Sequence, residues 1–120
     1  MAKILIVDDS RTSRKILRGL LEGNGHEVEE AANGEEGCSR YKEWKPDLVT
    51  MDITMPVLDG MAALKMIKGY DSEAKVIMIT AAGQKEKMVQ AVKYGADEFI
   101  AKPYEENGVL STVNRILEGD

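Results

Sequence analysis

Along the chain, hydrophobic residues gather in five short runs: KILIV (Lys3–Val7), EVEEA (Glu27–Ala31), DLVTM (Asp47–Met51), KVIMIT (Lys75–Thr80) and EFIA (Glu98–Ala101). The first, third and fourth are nearly continuous in apolar character, as expected of central strands in a parallel sheet covered on both faces. The second alternates with acidic residues, which predicts an edge strand with one wetter face. Between the runs the period becomes helical. Ile16, Leu17, Leu20 and Leu21 form one stripe, with Ser10 as N-cap and Glu22-Gly23-Asn24-Gly25 as the stop. Asn33-Gly34 opens a second helix, with Glu35 and Glu36 suited to the positive end of its dipole. A third helix runs from about Gly60 to Gly69 with Leu64 and Ile67 inward. A fourth spans roughly Gln84 to Tyr94, burying Met88, Val89 and Val92, and Gly95 ends it. The last buries Val109, Leu110, Val113, Ile116 and Leu117. Strand and helix alternating five times, with short connections, predict an α/β fold: an open (βα)5 sheet with right-handed crossovers.

At 120 residues, with no repeat, linker or low-complexity segment, one compact domain over residues 1–120 is expected, with no second or output domain. Composition is that of an ordinary soluble globular protein, 43% hydrophobic and 31% charged. No apolar run approaches the ~20 residues of a membrane span, and the start lacks the apolar stretch of a signal peptide, so no membrane insertion is expected. Cys38 is alone, which excludes an internal disulfide and makes a reducing cytoplasm the natural compartment. The net charge of −5 argues against non-specific nucleic-acid binding, since phosphate contacts need a positive surface.

In such sheets ligands bind beyond the carboxyl ends of the strands, near the point where strand order reverses. The first run ends in Asp8-Asp9, the third in Asp52, the fourth in Thr80 and the fifth in Lys102-Pro103. Each has an ordinary explanation alone: aspartate after a strand caps a turn, threonine is common in strands, and lysine before proline is solvated. The stretch DLVTMDITMP, with Asp52 between Met51 and Ile53, poses the choice most sharply. The ordinary explanation does much worse for all four, because the fold brings them to one edge of one sheet. Three neighbouring carboxylates repel, and at least one stays protonated unless a cation offsets them. Oxygen ligands without histidine or cysteine favour Mg²⁺. Lys102 adds a second positive charge and Thr80 a hydroxyl. A carboxylate so surrounded can attack a phosphoryl group while cations stabilise charge on the equatorial oxygens.

The motifs ILIVDDS, DLVTMDITMPVLDG, VIMITAAG and GADEFIAKPY resemble the receiver domain of bacterial and archaeal two-component response regulators, over essentially the whole chain. The resemblance implies a doubly wound, flavodoxin-like three-layer sandwich with five parallel strands in the order 2-1-3-4-5. Asp52 would be the phosphoacceptor. Asp9, with Asp8 in support, would bind Mg²⁺ together with Asp52 and the backbone carbonyl of Thr54. Thr80 and Lys102 would contact the phosphoryl oxygens, and the Lys102–Pro103 bond would be cis. Phe99 would be the switch residue, turning inward as Thr80 is drawn to the phosphoryl group and remodelling the face of helix four, strand five and helix five. Lacking a tyrosine hydroxyl, this switch would act through packing. Thr54 and Ala82 match two positions that tune hydrolysis of the acyl phosphate.

The same resemblance implies a phosphoacceptor signalling domain rather than an enzyme, fed by a histidine kinase, a phosphotransfer protein or a small donor such as acetyl phosphate. VTMDITMP and the KPY ending resemble the chemotaxis (CheY-like) branch, whose output is the flagellar motor switch. A phosphorelay intermediate, or a receiver belonging to a longer transcriptional regulator, are the alternatives. A phosphatase of the haloacid-dehalogenase type would need a second aspartate two residues after Asp52, where Thr54 stands. A flavodoxin would need a hydroxyl- and glycine-rich loop where this chain has DDSRTSRK. His26 reads as a surface residue. Arg11, Arg14, Lys15 and Arg18 read as a solvated basic side of the first helix or, in this family, a docking face for the phosphodonor. Met55, Met61 and Met66 read as core or gap fillers, and Trp44 lies at the end of the second helix, away from the site.

Overall fold

The computed structural model describes residues 1–119. Its strands are β1 (Lys3–Val7), β2 (Glu27–Ala31), β3 (Leu48–Asp52), β4 (Val76–Thr80) and β5 (Glu98–Ala101). They alternate with helices α1 (Arg11–Gly23), α2 (Gly34–Trp44), α3 (Gly60–Tyr70), α4 (Lys85–Lys93) and α5 (Glu106–Leu117). All neighbouring strands are parallel, in the order β2-β1-β3-β4-β5. The alternating second run is therefore an edge strand, and the three continuous runs are interior.

Side chains of a strand point alternately to the two faces, and the core divides accordingly. Ile4, Ile6, Leu48, Ile77 and Ile79 pack with Leu17 and Leu21 of α1 and Val109 and Val113 of α5. Leu5, Val7, Val49, Met51, Val76 and Met78 pack on the other side with Cys38 and Tyr41 of α2, Ala63, Leu64 and Ile67 of α3, and Ala91 of α4. Side-chain caps start four helices: Ser10 accepts from Ser13 N–H, Asn33 from Glu36 N–H, Asp59 from Ala62 N–H, and Glu105 from Asn107 and Gly108 N–H.

Two expectations about exposed faces need correction. Ile16 is half exposed while Leu17 and Leu21 are fully buried, because Ile16 sits about 100° around the helix from Leu17. On α4, Ala91 is the buried contact, Met88 is partly buried, and Val89 and Val92 are 55% and 60% exposed. The helix is rotated so that Ala91 faces the sheet, about 100° around from Val92, and the small residue permits the closest approach. Met55 is buried and Met61 packs against the core, while Met66, half exposed, borders the small gap between α2 and α3.

Candidate functional site

Val7 stands opposite Met51 in the β1–β3 ladder, so the next residues, Asp8 and Asp52, leave the sheet side by side. One carboxylate oxygen from each of Asp8, Asp9 and Asp52 lies within 4.8 Å of the others. Lys102 Nζ, arriving from the end of β5, is 3.0 Å from Asp8 Oδ2 and 3.7 Å from Asp52 Oδ2. Asp8 is fully buried, Asp52 nearly so, and Asp9 exposed. Asp8 Oδ1 accepts from Ser10 N–H at 2.8 Å, while Oδ2 has the lysine ion pair but no well-formed hydrogen bond. Burial first, then the charge of Asp8, push the Asp52 carboxyl up to about 6; Lys102 pulls the other way and Asp9 adds to the rise.

Two of the three carboxylates thus share one ammonium, and the surplus of negative charge in the cluster suits a divalent cation. The donors are all oxygens, which fits Mg²⁺ in preference to a softer metal.

Thr80, the buried last residue of β4, lies beside this cluster because Ile79 pairs with Asp52. Its carbonyl accepts from Lys102 N–H at 2.8 Å, which ties the ends of β4 and β5 together. The Lys102–Pro103 peptide is cis. Thr54 and Ala82 are both exposed on the loops that follow β3 and β4.

Two residues of this neighbourhood have no role assigned from the sequence. Gln84 spans the two loops: its Nε2 donates to Thr54 Oγ1 at 2.9 Å and its Oε1 accepts from Ala81 N–H at 2.7 Å. Its side chain, committed to that bridge, does not cap α4. Tyr104 lies on the α1–α5 side with a buried, unpartnered hydroxyl. Burial, then the charges of Asp8 and Asp52, push its phenol well above the ordinary value.

The sequence profile of the response regulator receiver domain matches residues 4–114. The chain belongs to the response regulator receiver domain family. This receiver is 47% identical to the chemotaxis protein CheY of Bacillus subtilis over 96% of the chain and 97% of that protein. It is 48% identical to CheY of Halobacterium salinarum, covering 98% of each. Among solved structures, the receiver domain of NtrX from Brucella abortus superposes with a TM-score of 0.93 at 34% identity, over 98% of this chain and 99% of that one. A CheX–CheY–BeF₃–Mg²⁺ complex from Borrelia burgdorferi gives 0.90 at 38% identity, over 95% of this chain and 87% of that one.

Outside the cluster, the receiver departs from two expectations. His26 is partly buried: Nδ1 accepts from Ala2 N–H at 3.2 Å, Nε2 is buried without a partner, and burial lowers its pKa. The basic side of α1 is only half solvated. Arg11 and Lys15 are exposed, but Arg14 and Arg18 both pair with Glu30 of β2. Trp44 closes α2 at the opposite end of the sheet, where Lys3 at the start of β1 donates to its carbonyl and lies 5.2 Å from its ring centre. The five residues of β1 separate it from Asp8, roughly 16 Å at about 3.3 Å per residue. Mg²⁺ is therefore expected to leave Trp44 fluorescence nearly unchanged, and strong quenching on titration would contradict this placement.

Proposed function

We propose that this receiver accepts a phosphoryl group on Asp52 from a histidine kinase or phosphotransfer protein, and passes the signal on by changing which protein it binds. The observation that carries this reading is the convergence of Asp8, Asp9, Asp52 and Lys102 at the ends of adjacent strands. Asp9, Asp52 and the Thr54 carbonyl, with Asp8 in support, would hold Mg²⁺, whose role when bound is to neutralise charge on the phosphoryl oxygens. An Asp52 carboxylate oxygen attacks phosphorus; the new O–P bond forms as the P–N bond to the donor histidine, or the P–O bond to acetate, breaks. Lys102 exchanges its carboxylate partners for a phosphoryl oxygen, and the Thr80 hydroxyl donates to another. Thr54 and Ala82 flank the approach and tune hydrolysis. The residues carry out their own modification, so the domain is a phosphoacceptor rather than an enzyme with a separate substrate.

Phe99 is partly buried against the core and lines a cavity of about 260 Å³ between β5 and α5. The switch is an inward turn of that ring, which packs on the α2–α3–α4 side of the sheet. The output face is then the surface of α4, β5 and α5; on α4, Val89 and Val92 are exposed. Relatives named for chemotaxis that match nearly end to end support a single cytoplasmic receiver over residues 1–120 acting in chemotaxis on a flagellar motor switch protein, without direct nucleic-acid contact. Among the described residues no helix is long and apolar enough to cross a membrane.

The chemistry is tested with radiolabelled acetyl phosphate. Wild-type protein is expected to gain hydroxylamine-sensitive label only with Mg²⁺, and Asp52→Asn to fall to background. Undiminished labelling of Asp52→Asn would remove the proposal.

A further inference from the structure

We infer that Arg14 is a positioning residue for the metal-binding carboxylates, holding the Asp8–Asp9 peptide in place from the edge strand. The inference rests on the metal site proposed above and concerns what sets its affinity.

The side chain of Asp9 is exposed and makes no hydrogen bond or ion pair among the described residues. Only its backbone can therefore fix where its carboxylate lies. That backbone is held at the preceding peptide. Asp8 N–H donates to Ala31 O of β2 at 3.1 Å, and the Asp8 carbonyl accepts from Arg14 Nη1 at 2.7 Å. The carbonyl of Asp8 and the N–H of Asp9 belong to one rigid peptide plane. A guanidinium fixed on that carbonyl thus fixes the direction in which the chain enters Asp9.

Arg14 is itself held. Its Nε donates to Glu30 Oε1 at 2.8 Å, and its side chain is only 16% exposed. A planar guanidinium can meet both partners at once, which a lysine ammonium on a flexible stem does less well. Glu30 is anchored in turn by Arg18, whose Nη1 donates to Glu30 Oε2 at 2.6 Å. Glu30 carries a lowered pKa, chiefly from the Arg18 hydrogen bond and further from Arg14, so the anchor stays charged at neutral pH. Its carboxylate offsets charge at Arg14, so the clamp adds little net positive charge next to a cation site.

Arg18 supplies an internal control. It bonds the same carboxylate, but its remaining contacts go to Glu22 and to the carbonyl of Val28 at 3.2 Å, not to the Asp8–Asp9 loop. The two arginines share a structural duty, and only one touches the site.

The test is Mg²⁺ affinity by calorimetry at a temperature well below unfolding, on the full chain. Arg14→Met is expected to raise the Mg²⁺ dissociation constant about ten-fold, the usual scale for losing an outer partner of a metal ligand, and Arg14→Lys to fall between it and wild type. Arg18→Met is expected to lower the melting temperature while leaving Mg²⁺ affinity within two-fold of wild type. In an Asp9→Asn background, Arg14→Met is expected to cost little further affinity, because the two act through one ligand. An Arg14→Met affinity within two-fold of wild type overturns the inference. So does an equal loss in Arg14→Met and Arg18→Met, which would mark a general effect of loosening Glu30. Failure of the wild type to bind Mg²⁺ would instead remove the metal site, and the inference with it.

Discussion

Asp52→Asn is expected to make the metal-free protein more stable at neutral pH. The Asp52 carboxyl is raised from 3.8 to about 6 in the fold, first by burial and then by the charge of Asp8. Between those two values the native state holds a proton that the unfolded chain has lost, so stability falls as pH rises from about 4 to about 6. Above that window the penalty is complete. At about 1.4 kcal/mol for each unit, it amounts to roughly 2–3 kcal/mol. Asparagine has nearly the same shape and no charge, so it removes the penalty along with the phosphoacceptor. A domain of this size gains a few degrees per kcal/mol, which predicts a melting temperature higher by roughly 10 °C at pH 7 without Mg²⁺. The gap should close below pH 4, where Asp52 is protonated in both states. It should also narrow as Mg²⁺ is added, since a ligand that binds only the folded form stabilises it. Thermal melts across pH, with and without Mg²⁺, decide the matter: a variant no more stable than wild type at pH 7 in chelator would refute the raised proton affinity.

Gly60→Ala is expected to destabilise the fold by about 3 kcal/mol or more, at the upper end of what overpacking costs. Gly60 opens α3, and its N–H donates to Ile53 O at 2.8 Å, which draws the helix start onto the exit of β3. A Cβ there would lie 1.9 Å from the carbonyl oxygen of Asp52 and 2.9 Å from Ile53 Cα. Both are backbone atoms, so no side chain can swing aside, and relief must move the peptide that carries Asp52. The same substitution at Gly19, inside α1 with nothing within 4 Å of its Cβ position, is expected to stabilise by about 1 kcal/mol, since alanine is the better helix former. Denaturant unfolding of the two variants should give shifts of opposite sign. A Gly60→Ala protein as stable as wild type would show that α3 can retreat from β3 at little cost.

The interior strands were legible because their apolar runs are nearly continuous, and the edge strand because Glu27, Glu29 and Glu30 interrupt its run. Asp8, Asp9, Asp52 and Lys102 were legible because each sits at the end of a strand, and chain order then dictates that parallel strands present those ends together. The faces of α1 and α4 were less legible. A run such as MVQAV offers an apolar arc of about 160°, wider than the face that meets the sheet, and only the packing selects Ala91 over Val89 and Val92. Gln84 gave no signal at all, since a glutamine before a helix is commonplace, and Tyr104 entered only as part of the KPY motif, without a hint of its buried hydroxyl.

The sequence by itself determined the alternation of strands and helices, membership of the receiver family and the identity of the acidic cluster. Local periodicity and residue chemistry suffice for the first and the last; the family shows through the resemblance of four motifs, and its profile matches residues 4–114. Only the tertiary structure decided that the basic side of α1 divides into two exposed cations and two arginines tied to β2. It also decided that Gly60 must be glycine because α3 starts against the Asp52 carbonyl, and that burial, with the charge of Asp8, raises the Asp52 carboxyl. Each depends on the approach of groups distant along the chain, or on the loss of water around a charge. Neither quantity is written in the order of residues; both exist only once the five strands stand side by side.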